Sequence, residues 1–367
     1  MYIEIQSLRG IFAILIFLSH YGSPGRIIPP LPVFGDGSVA FFIMLSGFVM
    51  SAGYSERIMH PSFNYKHFMI KRLARFYPLH LLCILGALIL AKFSLDAIGL
   101  WPLITNVLLL QSWIPVPTYY FSVNAVSWFL SVLMFCYGCF PFLTRCLAHY
   151  RKFTITLILS VALIWAFAVS LIPKERANDI IYVNPLARLI DFALGMVLYN
   201  FCESIKSKIK LSIKAINCIE IGATTLLIGS MLLYSYIPLQ WQLSSFWWVS
   251  CALTIFAFTL STSETSRHKG IISHLLSNRI LVQFGNISFS FFMIHVLFMQ
   301  GFGYFTTHFG LSLPPIVHLT CVLGGTIITA VIINHFFEMP AQHLLTPHKL
   351  PKSNGEPPTC EDSPMRK

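Results

Sequence analysis

The chain has 367 residues, of which 56% are hydrophobic and only 11% are charged. Soluble globular proteins carry about 25% charged residues, so this composition excludes an ordinary soluble domain and indicates a helical bundle in lipid. The net charge of +11 could suggest nucleic-acid binding, but the positions of the basic residues, described below, argue against it.

Apolar stretches long enough to cross a membrane, about 20 residues, recur along the whole chain. Ten of them are predicted to be transmembrane helices: 8–22, 38–54, 76–93, 126–144, 153–172, 185–201, 215–236, 244–262, 282–306 and 315–337. The stretch 98–114 is also apolar, but it is short and contains Pro102, Asn106 and Gln111. We interpret it as re-entrant or interfacial. The predicted fold class is an all-α integral membrane protein with about ten transmembrane helices.

The positions of Lys and Arg predict the orientation of this bundle. If the N-terminus is cytoplasmic, the cytoplasmic segments hold 20 Lys and Arg and the outer segments hold three. Such a bias is typical of multi-pass membrane proteins, and it places both termini in the cytoplasm. We expect one membrane domain, residues 1–345. Residues 346–367 are rich in Pro, Ser and charge, and they are predicted to form a disordered cytoplasmic tail.

Ionisable side chains inside a bilayer are costly, and they are therefore candidates for function. Arg9 and His20 begin and end the first span. Eleven residues rotate a helix by three turns and about 20°, so the two side chains share one face about 16 Å apart. They could serve two ends of an elongated ligand. Alternatively, Arg9 is an interfacial anchor and His20 lies among the outer headgroups.

Other polar residues fall at or within the predicted spans. Arg188 and Asp191, at i and i+3, favour an internal ion pair beside a polar cavity over direct catalysis. His295 lies within the ninth span, where it could bond to another helix, and Glu338 ends the last span before a proline. Three basic residues at the cytoplasmic mouth could grip phosphates or could simply follow the positive-inside rule: Lys71, Arg72 and Arg75. The histidine spacings contain no HxxxH or HExxH pair, so no metal site is predicted.

Several motifs in chain order resemble those of the membrane acyltransferase-3 family, of the O-antigen and exopolysaccharide O-acetylase type in its stand-alone form. The resemblance begins with Ser7-Leu-Arg9-Gly10 followed by His20. It continues through these later blocks: Val39–Phe48, Lys71-Arg72-Leu-Ala-Arg75-Phe-Tyr-Pro78, Ser127-Trp128-Phe-Leu-Ser-Val132, Pro185–Gly195 with Arg188 and Asp191, Ser288–His295 and Glu338-Met-Pro340. One departure is that Leu133 and Met134 stand where members commonly carry an acidic residue.

This resemblance implies a membrane O-acyltransferase that moves an acetyl or other acyl group from cytoplasmic acyl-CoA to a hydroxyl of an extracytoplasmic glycan. It implies catalytic roles for His20, as general base, and for Arg9, which would hold the donor. Lys71, Arg72 and Arg75 would bind the CoA phosphates. Six residues would line the cavity: Ser127, Trp128, Arg188, Asp191, His295 and Glu338. Acetyl-CoA would be a consumed co-substrate, and no permanently bound cofactor is expected.

Two other classes of function remain open from the residues alone. A proton-coupled carrier of small molecules or lipid-linked sugars would also use many spans, a buried ion pair and membrane histidines. However, many carriers contain internal repeats, and none is found in this sequence. A non-catalytic scaffold explains the spans but gives no reason for Arg9, His20 and Arg188. The location expected for the enzyme is the bacterial inner membrane, with lipopolysaccharide O-antigen or exopolysaccharide as the acceptor.

Overall fold

The computed structural model describes residues 2–21, 35–92, 98–206, 211–260 and 269–345. Within these residues every regular element is a helix. The helices are α1 (Ile3–Tyr21), α2 (Gly35–Met59), α3 (Tyr65–Leu90), α4 (Leu100–Val107), α5 (Pro117–Tyr120), α6 (Trp128–His149), α7 (Arg151–Ala168), α8 (Pro185–Lys206), α9 (Ile213–Leu233), α10 (Leu239–Gln242), α11 (Trp248–Leu260), α12 (Ile271–Leu276), α13 (Arg279–His308), α14 (Pro315–Ile333) and α15 (Met339–Leu345). The tail predicted for 346–367 lies outside the described residues.

Nine of the described helices are long and apolar enough to cross a membrane. They correspond to nine of the ten predicted spans. The remaining predicted span corresponds to a shorter apolar helix, Ser245–Leu260, which begins with a 3₁₀ turn and continues as α11. The predicted all-α multi-pass membrane fold is therefore confirmed. Both ends of the described chain lie on one face of the bundle, since Gln342 Nε2 donates to Arg75 O at 3.1 Å and Glu338 is a charged neighbour of Arg9.

Segment 98–114 does not cross the bundle. Its helix α4 has eight residues, about 12 Å of length, whereas a bilayer core is about 30 Å thick. A 3₁₀ turn at Gln111–Trp113 follows. Asn106 and Gln111 are both fully buried, so the segment folds back into the protein with its polar side chains inward.

Glycines set the two closest helix crossings. A Cβ on Gly285 of α13 would lie 1.9 Å from Gln6 O of α1, and a Cβ on Gly10 would lie 3.1 Å from Gly285 N. At the α2–α8 crossing, a Cβ on Gly47 would lie 2.0 Å from Phe192 O. Small residues allow such close backbone approach between membrane helices. The α1–α13 crossing is the one that positions the polar residues described next.

Candidate active site

Two histidines meet inside the bundle. His20 lies in the last turn of α1 and His295 lies midway along α13, and His20 Nδ1 is 3.1 Å from His295 Nε2. His295 is fully buried, whereas His20 is partly exposed. His20 is therefore the more accessible member of the pair, and His295 lies deeper in the protein. This contact joins residues 275 positions apart.

Arg9 lies at the other end of the same helix. Its Nη1 donates to Gln6 Oε1 at 2.8 Å, and Gln6 Nε2 donates to Asn286 Oδ1 of α13 at 3.2 Å. Arg75 and Glu338 are charged neighbours of Arg9. Arg9 and His20 thus both belong to the side of α1 that contacts α13. Because α1 is an unbroken helix between them, the two side chains are separated by about 16 Å along its axis.

Glu338 is held by several donors next to Arg9. Its carboxylate accepts hydrogen bonds from Asn334 Nδ2 at 3.0 Å, from Gln342 Nε2 at 3.1 Å and from Ser290 Oγ of α13. Glu338 ends a π-helical turn, Asn334–Glu338, between α14 and α15. Such turns are frequent at functional sites. Glu338 is 7% exposed, so these hydrogen bonds hold a buried carboxyl group in place.

The three basic residues Lys71, Arg72 and Arg75 lie within α3 and differ in exposure. Arg72 is buried: its guanidinium donates to Tyr54 Oη, and its Cζ lies 4.4 Å from the centre of the Tyr54 ring. Arg75 is exposed and Lys71 is partly exposed. The structure therefore gives Arg72 a packing contact between α2 and α3. Arg75 and Lys71 are the members of this motif that remain open to a ligand.

Arg188 and Asp191 form the ion pair that their spacing predicts. Arg188 Nη1 lies 2.7 Å from Asp191 Oδ2, and both side chains are 1% exposed. Arg188 Nε donates to Tyr182 O at 2.7 Å, and Trp248 Nε1 donates to the Asp191 carboxylate. These bonds tie α8 to the turn that precedes it and to α11. The pair is a buried junction of three segments.

A carboxylate that the sequence reasoning missed lies close to this pair. Asp36, in the first turn of α2, accepts a hydrogen bond from Tyr234 Oη at 2.7 Å, and Tyr182 is a second donor to it. Burial raises the pKa of Tyr182 well above its ordinary value, and the negative charge of Asp36 raises it further. Tyr182 therefore remains a neutral hydrogen-bond donor. Asp36 lies just before the predicted span 38–54, and only its charge marked this position in the sequence.

Ser127 and Trp128 are buried at the start of α6. Ser127 Oγ donates to Asn106 Oδ1 at 2.8 Å, and Gln111 Nε2 donates to Ser127 O at 3.0 Å. The Trp128 ring centre lies 4.7 Å from that of Tyr182. Ser127 therefore anchors segment 98–114, and Trp128 packs against the turn that precedes α8. His80 of α3, also missed in the sequence, joins this network because its Nε2 lies 2.8 Å from Asn106 O.

A cavity of about 720 Å³ lies between α3, α6 and residues 107–113. Its lining includes Met134 and Ser131 of α6, and Tyr77 of α3. Met134 occupies one of the two positions where an acidic residue would have been expected, and the other, Leu133, is buried in the core. Leu133 and Met134 therefore give the protein an apolar surface where family members commonly carry an acidic residue. Among the residues that the structure describes, no cluster of His, Cys, Asp or Glu could hold a metal ion.

Comparisons with known proteins identify the family of this chain. The chain is 24% identical over 326 residues to the acyltransferase MdmB of Streptomyces mycarofaciens, an alignment that covers 81% of this chain and 79% of that protein. No solved structure matches the chain significantly. Residues 2–335, nearly the whole membrane domain and all of α1 through α14, match the profile of a family described as an acyltransferase domain. The chain therefore belongs to the acyltransferase-3 family of membrane acyltransferases.

Proposed function

We propose that this membrane acyltransferase moves an acetyl or other acyl group from acyl-CoA to a hydroxyl of a glycan. The observation that carries this proposal is the contact between His20 and the buried His295 on the helix that also bears Arg9. The contact gives a partly exposed imidazole a fixed orientation inside the bundle. A base and a cation on one helix, about 16 Å apart, match the two ends of a long, thin acyl donor.

The proposed acyl transfer requires a general base because a sugar hydroxyl is a poor nucleophile at neutral pH. His20 accepts the hydroxyl proton as the oxygen attacks the thioester carbonyl. The tetrahedral intermediate then collapses, the C–S bond breaks, and the imidazolium returns the proton to the departing CoA sulfur. The products are the acyl ester and CoA thiol. A transient acyl-histidine on His20 is the alternative route to the same products.

Arg9 and the more exposed basic residues of α3 are proposed to bind the donor. Arginine and lysine side chains bind phosphate oxygens through charge-assisted hydrogen bonds. Arg75 is exposed and close enough to Arg9 to act on its charge, so the two form a positive patch, with Lys71 beside it. The positive charge of Arg72 adds to this patch, although the burial of Arg72 against Tyr54 makes direct contact with phosphate less favourable. Acyl-CoA is then a co-substrate consumed in each turnover.

The acceptor is proposed to be a glycan such as lipopolysaccharide O-antigen or exopolysaccharide, reached from the side of the bundle opposite to the termini. The supporting observation is the charge bias of 20 Lys and Arg against three in the sequence, which favours a cytoplasmic location for both termini. The donor patch then faces cytoplasmic CoA. His20 lies toward the outer side, and the protein would reside in a bacterial inner membrane.

The test is transfer of label from acyl-labelled acetyl-CoA to glycans in membranes that contain wild type, His20→Ala or His308→Ala at matched expression. His308 is an exposed histidine at the end of α13 and is the matched control. We expect transfer by wild type and by His308→Ala, and its loss in His20→Ala. Full transfer by His20→Ala would remove His20 as the base. Substrate movement across vesicles without any acyl donor would favour a carrier instead.

A further inference from the structure

We propose that His295 is a positioning residue that fixes the tautomer of His20, with the proton on Nδ1 and the basic lone pair on Nε2. The inference rests on the proposed function for its catalytic meaning, because a base must offer its lone pair toward the substrate. It does not rest on that function for the tautomer itself. The argument begins with the hydrogen-bond partners at the two ends of the histidine pair.

A backbone carbonyl lies at each end. His295 Nδ1 is 2.6 Å from Phe292 O, and His20 Nδ1 is 3.0 Å from Ile16 O. Carbonyl oxygens only accept hydrogen bonds, so both Nδ1 atoms must carry protons. Burial away from water favours the uncharged form of His295, and a neutral imidazole has only one N–H. The Nε2 of His295 is therefore an acceptor.

The contact between the rings then has one direction. His20 Nδ1–H donates to His295 Nε2 at 3.1 Å, and the same hydrogen is shared with Ile16 O. Neutral His20 consequently has its lone pair on Nε2, the atom that points away from His295. When His20 gains a proton, it keeps its Nδ1–H bond to His295, so the imidazolium is stabilised without moving the ring. His295 Nδ1–H faces a carbonyl that cannot take the proton, so the pair does not pass it further.

The surroundings of His295 keep this geometry rigid. Its ring lies among those of Phe17, Phe291 and Phe292, with centroids 5.9 to 6.3 Å away. The backbone just before it is also fixed, because Asn124 Nδ2 donates to Met293 O at 2.8 Å. Because these neighbouring rings are uncharged, His295 orients His20 through a neutral acceptor. His295 therefore fixes the orientation of His20 without adding a charge to the site.

Two substitutions of His295 distinguish its role as a hydrogen-bond acceptor from its role in packing. In His295→Gln, the amide oxygen can still accept from His20 Nδ1, whereas His295→Leu keeps an apolar side chain of similar size and removes the acceptor. We expect His295→Leu to lower kcat by about 10–100-fold, the size of effect known for hydrogen-bond partners that orient metal-bound histidines, with little change in KM for acetyl-CoA. His295→Gln should recover much of the loss.

The direct readout is nitrogen NMR of purified protein labelled with ¹⁵N-histidine, in which His20→Gln identifies the His20 signals among the 13 histidines. Wild type should show a protonated Nδ1 and an unprotonated Nε2 on His20, and His295→Leu should show a mixture of tautomers. A wild-type His20 with its proton on Nε2 would overturn the inference, and so would His295→Leu with unchanged kcat and spectrum. If the tautomer is as expected but no glycan is acylated, the proposed function fails and the inference on His295 stands.

Discussion

A single added methyl group at the crossing of α1 and α13 tests whether the contact between the two histidines is needed for activity, because it should push these helices apart. In Gly285→Ala, the new Cβ would lie 1.9 Å from Gln6 O, and real Cβ atoms essentially never come closer than 3.0 Å to such an atom. The helices must therefore move apart by about 1.1 Å at this point. A comparable shift at the histidine pair would lengthen the 3.1 Å contact beyond the range of a hydrogen bond.

The expected result is a fall in acyl transfer of about 100-fold, because misplacement by about 1 Å has effects of that size on catalysis. The matched control is Gly303→Ala on the same helix, where no atom lies within 4 Å of the added Cβ. Transfer from labelled acetyl-CoA is measured beside the thermal unfolding of both variants in detergent. The reasoning is refuted if Gly285→Ala folds and transfers label as fast as Gly303→Ala.

Three further predictions follow from contacts in the site. Arg188→Leu should destabilise the protein by about 3–5 kcal/mol because it leaves the Asp191 carboxylate buried without its ion-pair partner. The double variant that also carries Asp191→Leu should be more stable than Arg188→Leu in denaturant unfolding. Equal losses of unfolding free energy in the two variants would contradict this. Arg75→Gln should raise KM for acetyl-CoA without lowering the melting temperature, whereas Arg72→Gln should lower the melting temperature through loss of the Tyr54 contact. Identical effects of those two substitutions on both measurements would argue against their different placement. Glu338→Ala, which removes the acceptor of three hydrogen bonds, should lower thermal stability more than Glu338→Gln does, and the reverse order would show that the charge rather than the bonding matters.

The sequence was sufficient to predict the spans because each is a long apolar run whose meaning depends only on local composition. The polar residues Asn106 and Gln111 likewise predicted that segment 98–114 does not cross the membrane, and both prove to be buried within the protein. The spacing of Arg188 and Asp191 predicted their ion pair, because i and i+3 are neighbours on any helix. Local periodicity was enough in each case.

The partners of His20 and Arg72 could not be predicted in this way. His295 was expected to line a cavity without a chemical step, since no local pattern shows which face of α13 meets α1. That choice depends on Gly10 and Gly285, whose close approach is a property of two helices together. The burial of Arg72 depends in the same way on how Tyr54 of α2 faces α3. Long-range packing, which leaves no periodic signal in the sequence, determines both the partner of His20 and the burial of Arg72.

The inward fold of segment 98–114 has a consequence for how the protein is assembled in the membrane. Helix α4 is too short to enter the bilayer as an independent span, and Asn106 and Gln111 would be costly to place in lipid alone. Their hydrogen-bond partners are His80 of α3, together with Ser122 and Ser127 just ahead of α6. The segment can therefore settle only after α3 and α6 have both been inserted. The placement of segment 98–114 is in this sense a late step in biogenesis, which follows the insertion of the helices that flank it.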